Sequence, residues 1–254
     1  MPVLVARRND LRFDVARMKP KIIFITGTDT GAGKTVLTTL LVGYLRDCAV
    51  NAAALKPVCS GGRGDAQRLF EAMNGAFEVQ NPKSKAQSLA LSLDEINPWH
   101  FRAPVAPLPA ARRENRKIKL TQALAHIRET QKRFKILLVE GAGGLLSPLG
   151  EDFNSRDLIL ALRAIPIVVA QNKIGAVSQI LLTLEAIPKN LRDKARVVLM
   201  SPRKRDAATK TNAKLLAEFR PEGKIFTLPW LGKQFSAAGA LKNPRVRRTL
   251  RALV

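Results

Sequence analysis

The chain has 254 residues, 46% hydrophobic and 5% aromatic, with 43 Lys and Arg against 20 Asp and Glu, a formal net charge of +23. That is enough apolar material for the core of one sizeable α/β domain or two small ones. No apolar run approaches the roughly 18 residues of a membrane-spanning helix, so a soluble protein with no membrane partner is expected.

Taken in chain order, the N-terminal stretch has an apolar patch, Val3 to Ala6, too short for a signal peptide. Asp10 and Asp14 interrupt the acid-poor character of a transit peptide, and Met18 could itself be a start. Residues 1–20 are therefore expected to be an N-terminal arm, disordered or an over-extended start, with 21–254 forming a single domain. Six short apolar runs follow: "KIIFIT" (21–26), "NAAALKP" (51–57), "KILLVE" (135–140), "IPIVVA" (165–170), "ARVVLM" (195–200) and "GKIFTL" (223–228). Each is continuous rather than alternating, as in strands buried on both faces of a parallel sheet. Helical patterns separate them, at 34–47, 65–74, 121–133, 155–163, 177–187 and 209–218. The first carries Leu37, Leu40, Leu41, Tyr44 and Leu45 on one face. This alternation predicts an α/β fold with a single doubly wound, mostly parallel sheet flanked by helices. The stretch 76–117 is expected to be irregular and, at that length, functional or mobile.

Cys48 and Cys59 have no metal-ligand spacing and fit a reducing cytoplasm. The basic excess attracts polyanions. It is dispersed, however, over "RRENRK" (112–117), "KRFK" (132–135), "RKR" (203–205) and "RVRR" (245–248), with no aromatic ladder between. A nucleic-acid partner is not expected.

Three motifs carry chemistry. "FITGTDTGAGKTVLTTLL" (24–41) is a strand, a glycine-rich loop and a helix beginning at Gly33-Lys34. Glycines admit backbone N–H groups to phosphate oxygens, and the helix N-terminus adds partial positive charge. Lys34 can reach terminal phosphates and Thr35 can offer its hydroxyl to Mg²⁺. Five residues, Thr28 to Ala32, separate Gly27 from Gly33, one more than the usual phosphate loop has. In "LKPVCSGGRGDAQRL" (55–69), Lys56 stands at a strand's C-terminal end, the edge where open α/β sheets bind ligands. Asp65 is either a helix N-cap or a Mg²⁺ ligand. In "ILLVEGAGGLLSPL" (136–149), Glu140 ends an apolar strand before Gly141, Gly143 and Gly144. A carboxylate there needs a metal or a basic partner. "NKIGAVSQILLT" (172–183) starts a helix near Ala176 whose N–H groups could hold an anion. His126, within "LTQALAHIRET", is expected on a helix surface.

Together "TGTDTGAGKT" (26–35), "KPVCSG" (56–61), "GDA" (64–66), "VEGAGG" (139–144), "NKIG" (172–175) and "PWLG" (229–232) resemble the dethiobiotin synthetase family, over about 22–232. The five-residue spacing is that family's variant of the phosphate loop. The resemblance implies a phosphate-loop NTPase-like fold and an ATP- and Mg²⁺-dependent C–N ligase of biotin synthesis. Its substrates would be 7,8-diaminononanoate and CO₂, joined through a carbamate and a mixed carbamic–phosphoric anhydride. Carried over by position, Lys56, Lys34 and Thr30 would be catalytic. Thr35, Asp65 and Glu140 would hold Mg²⁺. ATP would be bound by Asp29, Thr30, Gly31, Ala32, Gly33, Lys34, Thr35, Val36, Glu140, Gly141, Gly143, Gly144, Ser201, Pro229, Trp230 and Leu231. Lys56 and Ser60, with Gly175, Ala176 and Val177 across a homodimer interface, would bind the diamine substrate. The family often has an asparagine for adenine where Ser201 stands, Asn-His where Ser178-Gln179 stand, and "SPH" where Ala106-Pro107-Leu108 stand. Two further readings are another phosphate-loop ATPase or amide-forming enzyme of this fold, and a basic nucleic-acid-associated protein that retained it.

Overall fold

A computed structural model describes residues 19–74, 90–232 and 235–254. The expected arm falls outside the described residues but for Lys19 and Pro20, as does 76–89 of the irregular stretch. In chain order the elements are β1 (Lys21–Gly27), α1 (Lys34–Asp47), β2 (Ala52–Leu55), β3 (Val58–Ser60), α2 (Gly64–Asn74), α3 (Leu93–Ile96), β4 (Trp99–Phe101), α4 (Pro107–Arg113), α5 (Leu120–Gln131) and β5 (Ile136–Glu140). There follow α6 (Ser155–Leu162), β6 (Ile165–Gln171), α7 (Ala176–Glu185), α8 (Lys189–Arg192), β7 (Arg196–Met200), α9 (Ala207–Phe219), β8 (Lys224–Leu228), α10 (Ala237–Leu241) and α11 (Pro244–Ala252).

Six strands form one sheet in the order β2-β5-β1-β6-β7-β8, every pair parallel. The unbroken apolar runs are explained by burial on both faces, except in the edge strand β8, which corrects that expectation: only Leu228 in it is buried. Ile23, Phe24 and Ile25 of β1 and Ile136 to Val139 of β5 are all wholly buried. On one side α1 packs against α2, α10 and α11; α5 and α6 pack together over β5 and β1. α1 presents Leu37, Leu40, Leu41, Tyr44 and Leu45 to the core, as its periodicity predicts. The chain leaves β1 toward β2 on one side, while β5 connects across to β6 on the other. The C-terminal ends of β1, β2 and β5 therefore surround the point where the winding reverses, the place such sheets bind ligands.

The Pro-rich stretch corrects the expectation of an irregular segment. β3 and β4 pair in parallel as a separate two-stranded sheet, Val58 opposite Trp99 and Ser60 opposite Phe101. α3 carries a capping box between Ser92 and Glu95. Pro107 opens α4 at the one helical position where a missing N–H costs nothing. The second strand ends at Leu55 rather than at 57, because the chain turns there to enter β3.

Candidate active site

The phosphate loop spans Thr28 to Gly33 between β1 and α1. Thr28 N–H donates to the Val169 carbonyl (3.0 Å) and Gln171 Nε2 to that of Gly31 (2.9 Å), so β6 holds the loop at both ends. Asp29 Oδ1 accepts the Thr30 N–H (2.6 Å). Gly33, the residue before α1, has φ 100°, and a Cβ there would stand 2.9 Å from Met200 Cγ. Only glycine enters the helix this way without strain. Lys34 Nζ reaches back across the loop, donating to the carbonyls of Asp29 (3.0 Å) and Gly143 (2.7 Å). Burial, and then the charge of Lys56, push its ammonium down to about 8.

Glu140 closes β5 at 1% exposure. Its Oε1 accepts the Thr35 hydroxyl and the Lys56 ammonium, both at 2.7 Å. Its Oε2 is buried and has no partner. Lys56, 4% exposed, also donates to Asp65 Oδ2 at 2.7 Å. Burial works against its charge, but Glu140 and Asp65 outweigh burial, and the ammonium is held above the usual lysine range. Asp65 gains in return: burial raises it, but Lys56 holds it below the usual carboxylate range. The partner that Glu140 requires is thus Lys56. Asp65 sits in the first turn of α2, where an acid favours the helix dipole, and it forms an ion pair rather than capping the helix. Gly141 follows with no room for a side chain, since a Cβ would lie 2.6 Å from Ser155 Oγ.

Thr35, Glu140, Lys56 and Asp65 therefore form one hydrogen-bonded cluster assembled from three strand ends, and Lys34, held on Gly143, feels its charges. Among the described residues no three of His, Cys, Asp or Glu gather as a metal site. The two carboxylates and the Thr35 hydroxyl are hard oxygen donors, the chemistry Mg²⁺ takes beside phosphates. The unpartnered Oε2 of Glu140 fits that demand.

Of the other expected residues, Asp29 offers its carbonyl to Lys34, and several more bond elsewhere. Ser60 Oγ donates to the Val105 carbonyl (2.5 Å), which joins β3 to the Pro-rich stretch. Ser201 N–H donates to the Leu228 carbonyl (2.9 Å), tying the ends of β7 and β8. Pro229 and Trp230 beyond them are exposed. Gly175 precedes α7 at φ 81°, with Ala176 buried and Val177 half-buried. The turn leading to it is clamped from α9: Asn212 Nδ2 donates to Asn172 Oδ1 and to the Lys173 carbonyl, each at 2.9 Å. His126 corrects the surface expectation. It is half-buried, its Nε2 lies 2.8 Å from the Glu95 carbonyl, and its ring meets Trp99 edge-on. Sequence reasoning missed Gln171 and Asn97, because what they hold lies far away in sequence. The one available signal for Asn97 was an amide preceding proline inside the stretch that follows the lysine motif.

Most of the chain is similar to known proteins. The AAA domain family matches residues 21–233. The ATP-dependent dethiobiotin synthetase BioD of Anaeromyxobacter dehalogenans (strain 2CP-C) is 35% identical, over 89% of this chain and 98% of its own. That of Akkermansia muciniphila is 35% identical over 77% and 85%. Among solved structures, the MinC:MinD cell division complex of Aquifex aeolicus superposes with TM-score 0.54 at 14% identity, covering 92% of this chain and 94% of that one. ParA of pNOB8 bound to nonspecific DNA superposes with TM-score 0.52 at 13% identity, covering 92% and 96%. These two share the fold alone. With phosphate loop, strand-end lysine and strand-end glutamate in one cluster, and with relatives matched over nearly their whole length, the chain belongs to the ATP-dependent dethiobiotin synthetase family of ligases.

Proposed function

We propose that the chain converts 7,8-diaminononanoate, CO₂ and ATP to dethiobiotin, ADP and phosphate. One amine of the substrate adds to CO₂ and loses a proton, giving a carbamate. A carbamate oxygen attacks the γ-phosphorus, and the bond to the ADP oxygen breaks. The second amine then attacks the carbonyl carbon of the mixed anhydride, closing the ureido ring and expelling phosphate with the former carbamate oxygen.

The observation that carries this reading is the buried ammonium of Lys56, 2.7 Å from Glu140 on the phosphate-loop side of the sheet edge. Negative charge builds on the carbamate and on the transferring phosphoryl group, and a fixed cation in a dry site stabilises it without reorganising. Lys56 keeps its proton there, as its two carboxylate partners require. Lys34 supplies a second cation at the phosphates once it exchanges its two carbonyl partners for phosphate oxygens. Thr30 lies on the exposed flank of the loop, where a substrate could approach. Ser60 would orient the substrate. Thr35, Asp65 and Glu140 would hold Mg²⁺, which neutralises phosphate charge when bound. Asp29, Gly31, Ala32, Gly33, Val36, Gly141, Gly143 and Gly144 would shape the backbone cradle for ATP. Ser201, Pro229, Trp230 and Leu231 would face its base.

A homodimer fits the exposed apolar residues at α7, Ile174 at 82% and Leu182 at 70%. It would bring the N–H groups of Gly175, Ala176 and Val177 from one copy to the substrate carboxylate of the other. No described helix is long and apolar enough to cross a membrane, and a cytoplasmic site of action suits an enzyme drawing on ATP. In the decisive assay, ADP release depends on both the diamine and bicarbonate. ATP turnover indifferent to the diamine would instead favour a regulatory ATPase of the same fold.

A further inference from the structure

Lys56 lies one residue beyond the last sheet pairing of its strand, Leu55 with Val139. Both of its peptide groups are nevertheless held, and from a single segment. Its N–H donates to the Ile96 carbonyl at 3.0 Å, and its carbonyl accepts Asn97 Nδ2 at 2.7 Å. Asn97 is wholly buried. Its Oδ1 accepts the Cys59 thiol (3.1 Å), and its own carbonyl accepts Arg63 Nη2 (3.1 Å). A buried amide is costly unless both ends are satisfied. The Nδ2 of Asn97 also lies 3.4 Å from the Pro57 carbonyl and 3.5 Å from that of Trp99, so the donor end faces carbonyls alone, while the oxygen faces the Cys59 thiol, which also reaches the Gly62 carbonyl at 3.1 Å. No apolar side chain of that size could make both bonds.

We propose that Asn97 is a positioning residue for Lys56. Its amide clamps the Lys56 peptide so that the ammonium rests between Glu140 and Asp65, facing the phosphoryl group in flight. A small rotation of the peptide is magnified at the end of a four-carbon side chain, and misplacements of about 1 Å cost on the order of a hundredfold in rate. The inference rests on the role given to Lys56 above.

The test measures kcat and the KM for ATP in Asn97→Ala, Lys56→Gln and the double variant of the full chain, with diamine and bicarbonate saturating. Asn97→Ala is expected to lose between about ten- and a hundredfold in kcat while the KM for ATP stays within about threefold. Added to Lys56→Gln, it should cost nothing further, since the group it positions is gone. Losses that multiply in the double variant, or an Asn97→Ala kcat equal to that of the unaltered chain, overturn the proposal. Should Asn97→Ala fail to fold, Asn97→Asp decides. It keeps the size of the side chain but removes the donor that holds the Lys56 carbonyl, and a kcat reduced about tenfold or more with unchanged KM for ATP supports the clamp. A kcat equal to that of the unaltered chain overturns it. If Lys56→Gln itself turned over normally, the reading of the reaction would fail, whatever Asn97 did.

Discussion

The Nζ of Lys56 and the Oε1 of Glu140 are 2.7 Å apart, with both side chains almost without exposure. Such a pair contributes little net stability, because desolvating both charges offsets their attraction. Its worth here is a cation held at one point without solvent. Lys34 sits differently, on two carbonyls and with its ammonium pushed down to about 8, first by burial and then by Lys56. In the role proposed for Lys34, phosphate oxygens would raise it again, so that the bound value would exceed the free one. The affinity gained this way is complete below the free value, about 8, and is lost as pH rises through the bound value. ATP binding is therefore expected to take up more protons at about pH 9 than at about pH 7.5, read by calorimetry in two buffers of different ionisation enthalpy. Lys34→Arg, which does not titrate in this range, should abolish that difference. Equal uptake at both pH values in the unaltered chain would contradict the assignment.

At the scale of elements, the entry to α1 depends on Gly33, whose φ of 100° is followed at once by Lys34. A left-handed backbone costs a side-chain-bearing residue about 1–2 kcal/mol, and an added methyl would also press on Met200. Gly33→Ala is expected to weaken ATP binding at least about tenfold by re-aiming the loop N–H groups. Unchanged affinity by nucleotide fluorescence titration would refute that. The inner sheet strands were legible because double-sided burial writes continuous apolar runs, whereas the edge strand β8 buries only Leu228. The phosphate loop and its glutamate were legible because their spacing is local. β3 and β4 were not: three residues each, they are held by partners distant in sequence, among them their mutual pairing and the Ser60–Val105 bond, 45 positions apart. The bond between Lys56 and Asn97 escaped for the same reason. A hydrogen bond across 41 residues leaves no periodicity. Lys56 as the partner of Glu140 could be required by the cost of a buried carboxylate, yet not identified.

Across the whole molecule, the ends of β1, β2 and β5 are brought together by the sheet order, and everything chemical follows from that convergence. The same order leaves the α7 edge carrying Ile174 and Leu182 in the open. Leu182→Asp is expected to shift the chain from dimer to monomer in analytical ultracentrifugation and to raise the KM for the diamine more than that for ATP. A monomeric unaltered chain of full activity would contradict the interface. The clusters that make up the charge of +23 are spread over many elements.

The most direct test of the central claim is chemical. Purified chain is mixed with 7,8-diaminononanoate, ¹³C-bicarbonate, Mg²⁺ and ATP, and the products are weighed by mass spectrometry. The account predicts dethiobiotin carrying one ¹³C for each phosphate released. Phosphate release without labelled dethiobiotin would contradict it.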